Sequence, residues 1–600
     1  MKVNTMNPTY SFGAQLVAPN RTCFRLWAPS KEEVSVEIDG MPAIPMERLA
    51  DGWFEAHADC GAGTRYRYRV SDDLAVPDPA SRWQDGDIHD ASIVCDPQSY
   101  QWNNSDWTGR MWEESVIYEL HVGALGGFEG VMQQLPALAD LGITAIELMP
   151  IADFPGARNW GYDGVLPYAP DTAYGTPDQL KALVDAAHSH GMMVFLDVVY
   201  NHFGPDGNYL GAYAGTFFRD DLKTPWGQAI DFRQRPVRDF FIENAIYWLD
   251  EFRIDGLRFD AVHAISEKDW IVEMAQRIRA AMPEGRRVHL VLENDDNTAG
   301  FLERSPELLY DAQWNDDMHH VLHVLLTGEQ EGYYVSYVNQ PAEKLMRGLT
   351  EGFVYQGEPS VYAGGEPRGE PSAHLSPTSF VNFLQNHDQI GNRAFGERLT
   401  TLANPLALRS AMGLLLLSPN IPLLFMGDEY GATQPFLYFT SHLTPELAYA
   451  VRNGRREEFA RFSAFSDPAI RETIPDPNAE QTFLDSIPRP DSEGATTWRD
   501  WIKALLTIRQ ERIVPFLAGA TSLGAEMIGP KAVKARWQLD NDQILMITVN
   551  LGDAPVPIDY EKLADGKGGA ILFQTDGVED AAPENTLPAY ALIAVMEPSA

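Results

Sequence analysis

Between about residue 112 and residue 426 the chain alternates short apolar runs with stretches of helical period, and this restricts its fold more than any other feature. The runs are VIYELHV (116–122), AIELM (145–149), VFLDVV (194–199), GLRFD (256–260), HLVLE (289–293), LLYDA (308–312), FVNFL (380–384) and PLLFM (422–426). Apolar runs without polar alternation read as strands buried on both faces, as in a parallel sheet. A helix is expected around Met132–Leu141. In a second helix Thr176 serves as N-cap, Pro177 takes the first position, and Leu180, Leu183, Val184 and Ala187 share a face before Gly191 closes it. Eight such units predict a closed (β/α)8 TIM barrel, class α/β. An open doubly wound sheet would carry a GxGxxG turn after its first strand, and HVGALGGFEG does not supply one.

The flanks have a different texture. Val34, Val36 and Ile38 alternate with Ser35 and Glu37, and Tyr66, Tyr68 and Val70 alternate with Arg65, Arg67 and Arg69. Period-two alternation buries one face of a strand, as in an antiparallel sandwich. A helix is expected near Trp498–Arg512. Beyond it Val533, Ala535, Trp537 and Leu539 alternate with Lys534, Arg536 and Gln538. Six hundred residues exceed one core. The expected organisation is an N-terminal β-sandwich over 1–100, the barrel over 101–515 and a C-terminal β-sandwich over 516–600.

Charge and cysteine usage narrow the partners. Eighty-five acidic against 46 basic residues give a formal charge of −39. Nucleic acid and anionic lipid repel such a surface, which favours a neutral ligand such as a sugar. No apolar run reaches the roughly 20 residues of a membrane-spanning helix. The N-terminus has no apolar signal region, and three cysteines (Cys23, Cys60, Cys95) are too few and too odd a set for a disulfide framework. A cytoplasmic protein without nucleic-acid or membrane partners is expected.

In (β/α)8 enzymes the chemistry lies at the C-terminal ends of the strands. Asp197 lies toward the end of the third run, with Asn201 and His202 beyond it. Arg258 and Asp260 lie in the fourth, followed by His263; Glu293 ends the fifth; Asn386, His387 and Asp388 follow the seventh. One acid at a strand end is ordinarily an ion pair or a helix cap. Four on one barrel face need another reason, because burying an unpaired carboxylate costs several kcal/mol. Arg258, two residues before Asp260, shares its face and keeps it ionised. Two carboxyls around one sugar bond, one ionised and one protonated, are what glycoside hydrolysis requires. Asp197, Asn201 and His202 also suit Ca²⁺, but residues 203–231 lack the D-x-[DN]-x-[DN]-G spacing. Neither metal nor cofactor is expected.

DVVYNH (197–202), GLRFDAVH (256–263), VLEND (291–295) and FLQNHDQIG (383–391) resemble the four signature segments of the α-amylase superfamily. The resemblance implies a retaining hydrolase with Asp260 as nucleophile, Glu293 as general acid/base and Asp388 as stabiliser. Tyr162, in NWGYDG (159–164), would be a stacking platform; Asp197, His202, Arg258, His263 and His387 would be substrate-binding neighbours. DAQWNDDMHH (311–320), FMGDEYGATQPFLYFTSH (425–442) and VRNGRREEF (451–459) resemble the malto-oligosyltrehalose trehalohydrolases. FRLWAP (24–29) and VPDPASRW (76–83) are similar to the N-terminal sandwich that these share with glycogen-branching enzymes. That implies cleavage of the α-1,4 bond beside the terminal trehalose unit of malto-oligosyltrehalose. Trp314, Asn315 and Asp316 would bind substrate there, with His320 and the stretch 434–442 as further candidates. Trp160, Phe436 and Tyr438 join Tyr162 and Trp314 as candidate stacking aromatics. The short GALGGFEG (123–130) departs from the family's longer loop. Two alternatives stay open: a glycogen-branching glucanotransferase, which shares the first half-reaction, and a non-catalytic glucan-binding protein.

Overall fold

The computed structural model describes residues 10–490, 494–540, 542–560 and 569–598. At its centre β1 (Ile117–Leu120), β2 (Ala145–Leu148), β3 (Met193–Val198), β4 (Gly256–Phe259), β5 (His289–Leu292), β6 (Ala312–Trp314), β7 (Phe380–Asn382) and β8 (Ile421–Phe425) form a closed barrel in sequence order. All pairs are parallel, and β8 returns to β1 with Leu423 opposite Ile117. The covering helices include α1 (Gly127–Leu141), α2 (Pro177–Ser189), α3 (Arg235–Asp250), α4 (Lys268–Ala281), α5 (Asp316–Thr327), α6 (Pro405–Leu417) and α7 (Ala495–Ile508).

Helix α2 forms where its sequence places it. The Thr176 hydroxyl accepts from the Gln179 amide while the Gln179 side chain accepts from the Thr176 amide, a reciprocal cap worth about 1 kcal/mol. Leu180, Leu183, Val184 and Ala187 are fully buried against the barrel. Strand β6 corrects the sequence expectation of 308–312: the strand begins at Ala312. The preceding LLYD packs rather than pairs. The Tyr310 hydroxyl donates to the Ile271 carbonyl of α4, and Asp311 accepts from Arg279 and from the Leu290 amide.

Side chains two apart on a strand share a face, and this splits the barrel lumen into layers. Ile117, Ala145, Phe195, Val291, Ala312, Val381 and Leu423 form an apolar cluster inside, with Trp112 against it. One step further along the same faces come Glu119, Glu147, Asp197, Arg258, Glu293 and Trp314. The lumen is thus apolar below and charged at its C-terminal end.

Before the barrel, a four-stranded sheet (Gln15–Ala18, Arg21–Trp27, Trp53–Ala58, Glu47–Arg48) faces a five-stranded one built on Ser35–Ile38 and Arg65–Ser71. After it, Thr521–Gly529, Ala532–Gln538, Gln543–Asn550, Ala591–Pro598 and Ala570–Gln574 make a five-stranded sheet. Tyr66, Tyr68, Val533, Ala535 and Trp537 all point inward, as their alternation predicts.

Candidate active site

The charged layer converges on Arg258, which is fully buried. Its Nη1 donates to Asp197 Oδ2 and to Asp260 Oδ1, both at 2.7 Å, and its Nη2 lies 3.6 Å from Glu293 Oε2. The guanidinium stands 4.2 Å above the Trp314 ring, so one cation bridges three strand-end carboxylates over an aromatic floor. Asn201 Nδ2 donates to Asp260 Oδ2 at 2.9 Å, which gives that asparagine a hydrogen-bonding task. Asp260 is followed by Ala261 in the left-handed region at φ 43°, a strain that persists only where the surroundings impose it. Here the Ala261 amide donates to Glu293 Oε2 and the Val262 amide to the Glu293 carbonyl, which ties the ends of β4 and β5 together.

Electrostatics separate the acids. Burial pushes the Glu293 carboxyl up, Arg258 opposes this, and Asp260 and Asp388 add to the rise. Asp197 is raised to about 7, by burial first and against the pull of Arg258. Asp388 is the open member, with a side chain 42% exposed and His387 Nε2 at 3.5 Å. It stands at the start of a short helix, His387–Gly391, capped by Asn386. For His387, burial lowers the imidazole pKa, but Asp388 and Glu119 outweigh it and bring it to about 9.

The other expected site residues divide into two groups. Tyr162 donates to Asp197 and stacks on His387 at 5.1 Å. His202 donates from Nε2 to the Tyr162 carbonyl, His263 lies close enough to Glu293 to stabilise its charged form, and Asp316 is near both Glu293 and Asp388. These line the cleft. Trp314 and Asn315 do not. Trp314 is 1% exposed beneath Arg258, so it floors the site and offers sugar no open face. Asn315 is equally buried, and its Nδ2 donates to Gly352 O and Asn382 Oδ1. Trp160 and Phe436 also drop out as platforms, because both are buried and stacked on each other. His320 is packed between the rings of Tyr333 and Tyr337.

Sequence reasoning missed Trp226. It sits in the hairpin Phe218–Thr224/Gly227–Ile230, is 47% exposed, and stacks on His202 at 5.1 Å. A tryptophan inside the polar turn KTPWGQ was the available signal. Glu119 was also missed, because a lone acid in VIYELHV has no motif around it.

A model of the alpha-amylase catalytic domain matches residues 95–244, and a model described as a domain of unknown function matches residues 520–593. A crystal structure described as an alpha amylase from Salmonella typhimurium superposes with TM-score 0.91 at 42% identity, covering 98% of this chain and 100% of that one. Barrel, strand-end carboxylates and family model define an alpha-amylase-type glycoside hydrolase. Malto-oligosyltrehalose trehalohydrolase of Deinococcus radiodurans is 42% identical over 506 residues, 82% of this chain and 81% of its own length. That of Mycobacterium tuberculosis is 33% identical over 96% of this chain and the whole of its own. The chain belongs to the malto-oligosyltrehalose trehalohydrolase family.

Proposed function

We propose that the chain hydrolyses the α-1,4 bond next to the terminal trehalose unit of malto-oligosyltrehalose, with Asp260 as nucleophile, Glu293 as general acid/base and Asp388 as the stabiliser of the distorted sugar. The observation that carries this reading is the bridging of Asp260 and Glu293 by the single guanidinium of Arg258. It supports a carboxyl separation of about 5–5.5 Å, which a double displacement needs, over the roughly 6.5–9.5 Å of an inverting enzyme. Asp260 is held by Arg258 and Asn201 in the geometry of an ionised nucleophile. Burial raises the Glu293 carboxyl, the direction required of an acid that gives its proton to the departing oxygen. The freed Glu293 carboxylate activates water for the second step. The names of the relatives support trehalose as the leaving group.

The units over 1–100, 101–515 and 516–600 are read as domains, the first being carbohydrate-binding-like. Three free cysteines support a cytoplasmic location, and among the described residues no helix is long and apolar enough to cross a membrane. A branching glucanotransferase shares the first half-reaction; a branching enzyme of Pseudoalteromonas atlantica is 33% identical over 42% of this chain. Incubation with maltotriosyltrehalose decides between them. Trehalose and an oligosaccharide first seen by proton NMR as the α-anomer are expected, with activity surviving chelation. Initial β-anomer overturns the double displacement, and altered iodine staining of amylose without trehalose release overturns the hydrolase.

A further inference from the structure

Two glutamates occupy the same place on neighbouring strands. Glu119 of β1 and Glu147 of β2 are directly paired in register, share the lumen-facing parity, and are each 1% exposed. Their surroundings differ completely. Both carboxylate oxygens of Glu119 serve His387: Oε1 accepts from ring Nδ1, and Oε2 accepts from the His387 backbone amide at 3.3 Å. Neither oxygen of Glu147 has any partner.

From this contrast we propose that Glu119 is a positioning residue that holds His387 as a doubly protonated imidazolium beside Asp388, while Glu147 is a neutral carboxylic acid with no share in that task. The proposal rests on the hydrolase reading above and goes beyond it, since it assigns the charge state of the ring next to the stabilising acid.

The groups facing His387 come from every side of the barrel. Glu119 stands on β1 and His121 just past its end, Glu147 on β2, Arg258 on β4, and Asp388 follows in the same helical turn. Tyr162 stacks on the ring at 5.1 Å and Trp160 meets it edge-on at 5.5 Å, closing it from water. His121 is neutral, because burial lowers its imidazole to about 4. With Nδ1–H directed at Glu119, the state of Nε2 decides the function. A neutral ring would aim an Nε2 lone pair toward Asp388 Oδ1, 3.5 Å away, two acceptors facing each other. An imidazolium puts a donor there, facing Asp388, and the Asp388 and Glu119 carboxylates together stabilise that cation in a buried position, Glu119 also through its hydrogen bond to Nδ1. Arg258 and His387 are the nearby cations, and Asp197, Asp260, Glu119 and Asp388 already answer them. A charged Glu147 would be a further anion with no hydrogen bond, so it keeps its proton.

The test compares wild type, Glu119→Gln, Glu119→Asp and Glu147→Gln. Histidine-labelled protein, with the His387 ring signal assigned by its loss in His387→Gln, reads the charge state by NMR without substrate. The wild-type ring should stay cationic until about pH 9. In Glu119→Gln it should revert to the ordinary value near 6.5 or below, so that at pH 8 the cationic fraction, and with it kcat on maltotriosyltrehalose, falls roughly thirtyfold. The alkaline limb of kcat moves to lower pH, whereas a merely structural role would lower kcat equally at every pH. Glu119→Asp should restore part of the shift and serves if the glutamine variant does not fold. Glu147→Gln should keep the wild-type limb. A neutral His387 in wild type at pH 7.5 overturns the proposal, as does an unmoved limb in Glu119→Gln or a shifted one in Glu147→Gln. A wild type that titrates as expected but releases no trehalose leaves the inference standing and sinks the hydrolase reading alone.

Discussion

Strand β4 carries an aspartate at each end, and the two are buried for opposite purposes. Asp255, just before Gly256, is fully satisfied: Trp107 Nε1 and Arg286 donate to Oδ1, and His188 and the Val194 amide engage Oδ2, all between 2.7 and 2.9 Å. Burial would raise its pKa, but Arg286 and His188 hold it down at about 2. Asp260, at the other end, lies in a layer where hydrogen bonding is left incomplete. Asp197 Oδ1 and both Glu147 oxygens lack partners, as do Arg258 Nε and Nη2. Asp197 and Glu293 have raised pKa values there. A complete network stabilises; an incomplete one keeps charge and proton available for a ligand. The N-terminal end of this barrel is built for stability and the C-terminal end for chemistry.

The largest expected effect breaks the comparison at the upper end. Asp260→Asn, or Glu293→Gln, should lower kcat by at least about a thousandfold, some 4 kcal/mol of barrier, with no loss of folded structure by circular dichroism. Near-normal turnover in either folded variant would remove these residues from their proposed roles. Asp255→Asn should behave in the reverse way. It leaves Arg286 and His188 without their buried anion and should cost about 3 kcal/mol of unfolding free energy, while kcat of the folded protein is kept. A fall in kcat without a shift of the urea midpoint would show that the two ends are not separated as described.

The same contrast predicts opposite responses to pH. A carboxylate with a depressed folded pKa adds stability that is complete above its unfolded value and vanishes as pH falls through the folded one. For Asp255 the window runs from its ordinary 3.8 down to about 2, and the contribution is roughly 2 kcal/mol. Asp197 has the other sign: stability declines as pH rises from 3.8 toward about 7. Urea midpoints measured between about pH 7 and pH 3 should therefore fall more steeply at the acid end in wild type than in Asp255→Asn. Parallel curves would refute the assignment.

What the sequence made legible follows from what local chemistry can encode. Strand existence and the order of the strand-end acids depend on apolar runs and on spacing within one strand, so Asp197, Arg258, Asp260 and Glu293 could be placed together. Strand β6 starts later than its apolar run suggests, because LLY of 308–310 has the composition of a strand, yet the Tyr310 hydroxyl bonds to α4. Trp314 and Asn315 were expected to touch substrate because they lie in a distinctive segment; whether a side chain faces the cleft or its floor is set by the neighbour across the barrel. Arg258 covers one and Asn382 engages the other. Glu119 lies 268 residues from His387, and no spacing rule reaches that far.

The smallest effect is the one that decides the substrate. Asp316 is the member of the distinctive segment DAQWNDDMHH that the structure keeps at the cleft, half-buried near Glu293 and Asp388. Gln389 Nε2 approaches it at 3.4 Å, so it retains acceptor capacity for a hydroxyl. A glucose joined 1,1 directs its hydroxyls differently from one joined 1,4, and a polar group aimed at one arrangement is left unpaired by the other. An unpaired buried polar group is what discriminates between close analogues. We expect kcat/KM for maltotriosyltrehalose to exceed that for maltopentaose by at least roughly tenfold, about 1.4 kcal/mol of differential transition-state binding. Asp316→Ala should reduce that ratio, while Asn315→Ala, whose parent amide bonds only to protein, should destabilise the fold and leave the ratio alone. Equal rates on the two substrates in wild type would make the enzyme a general amylase. A ratio lost in Asn315→Ala and kept in Asp316→Ala would mean that substrate selection is exerted through the floor of the site instead of its wall.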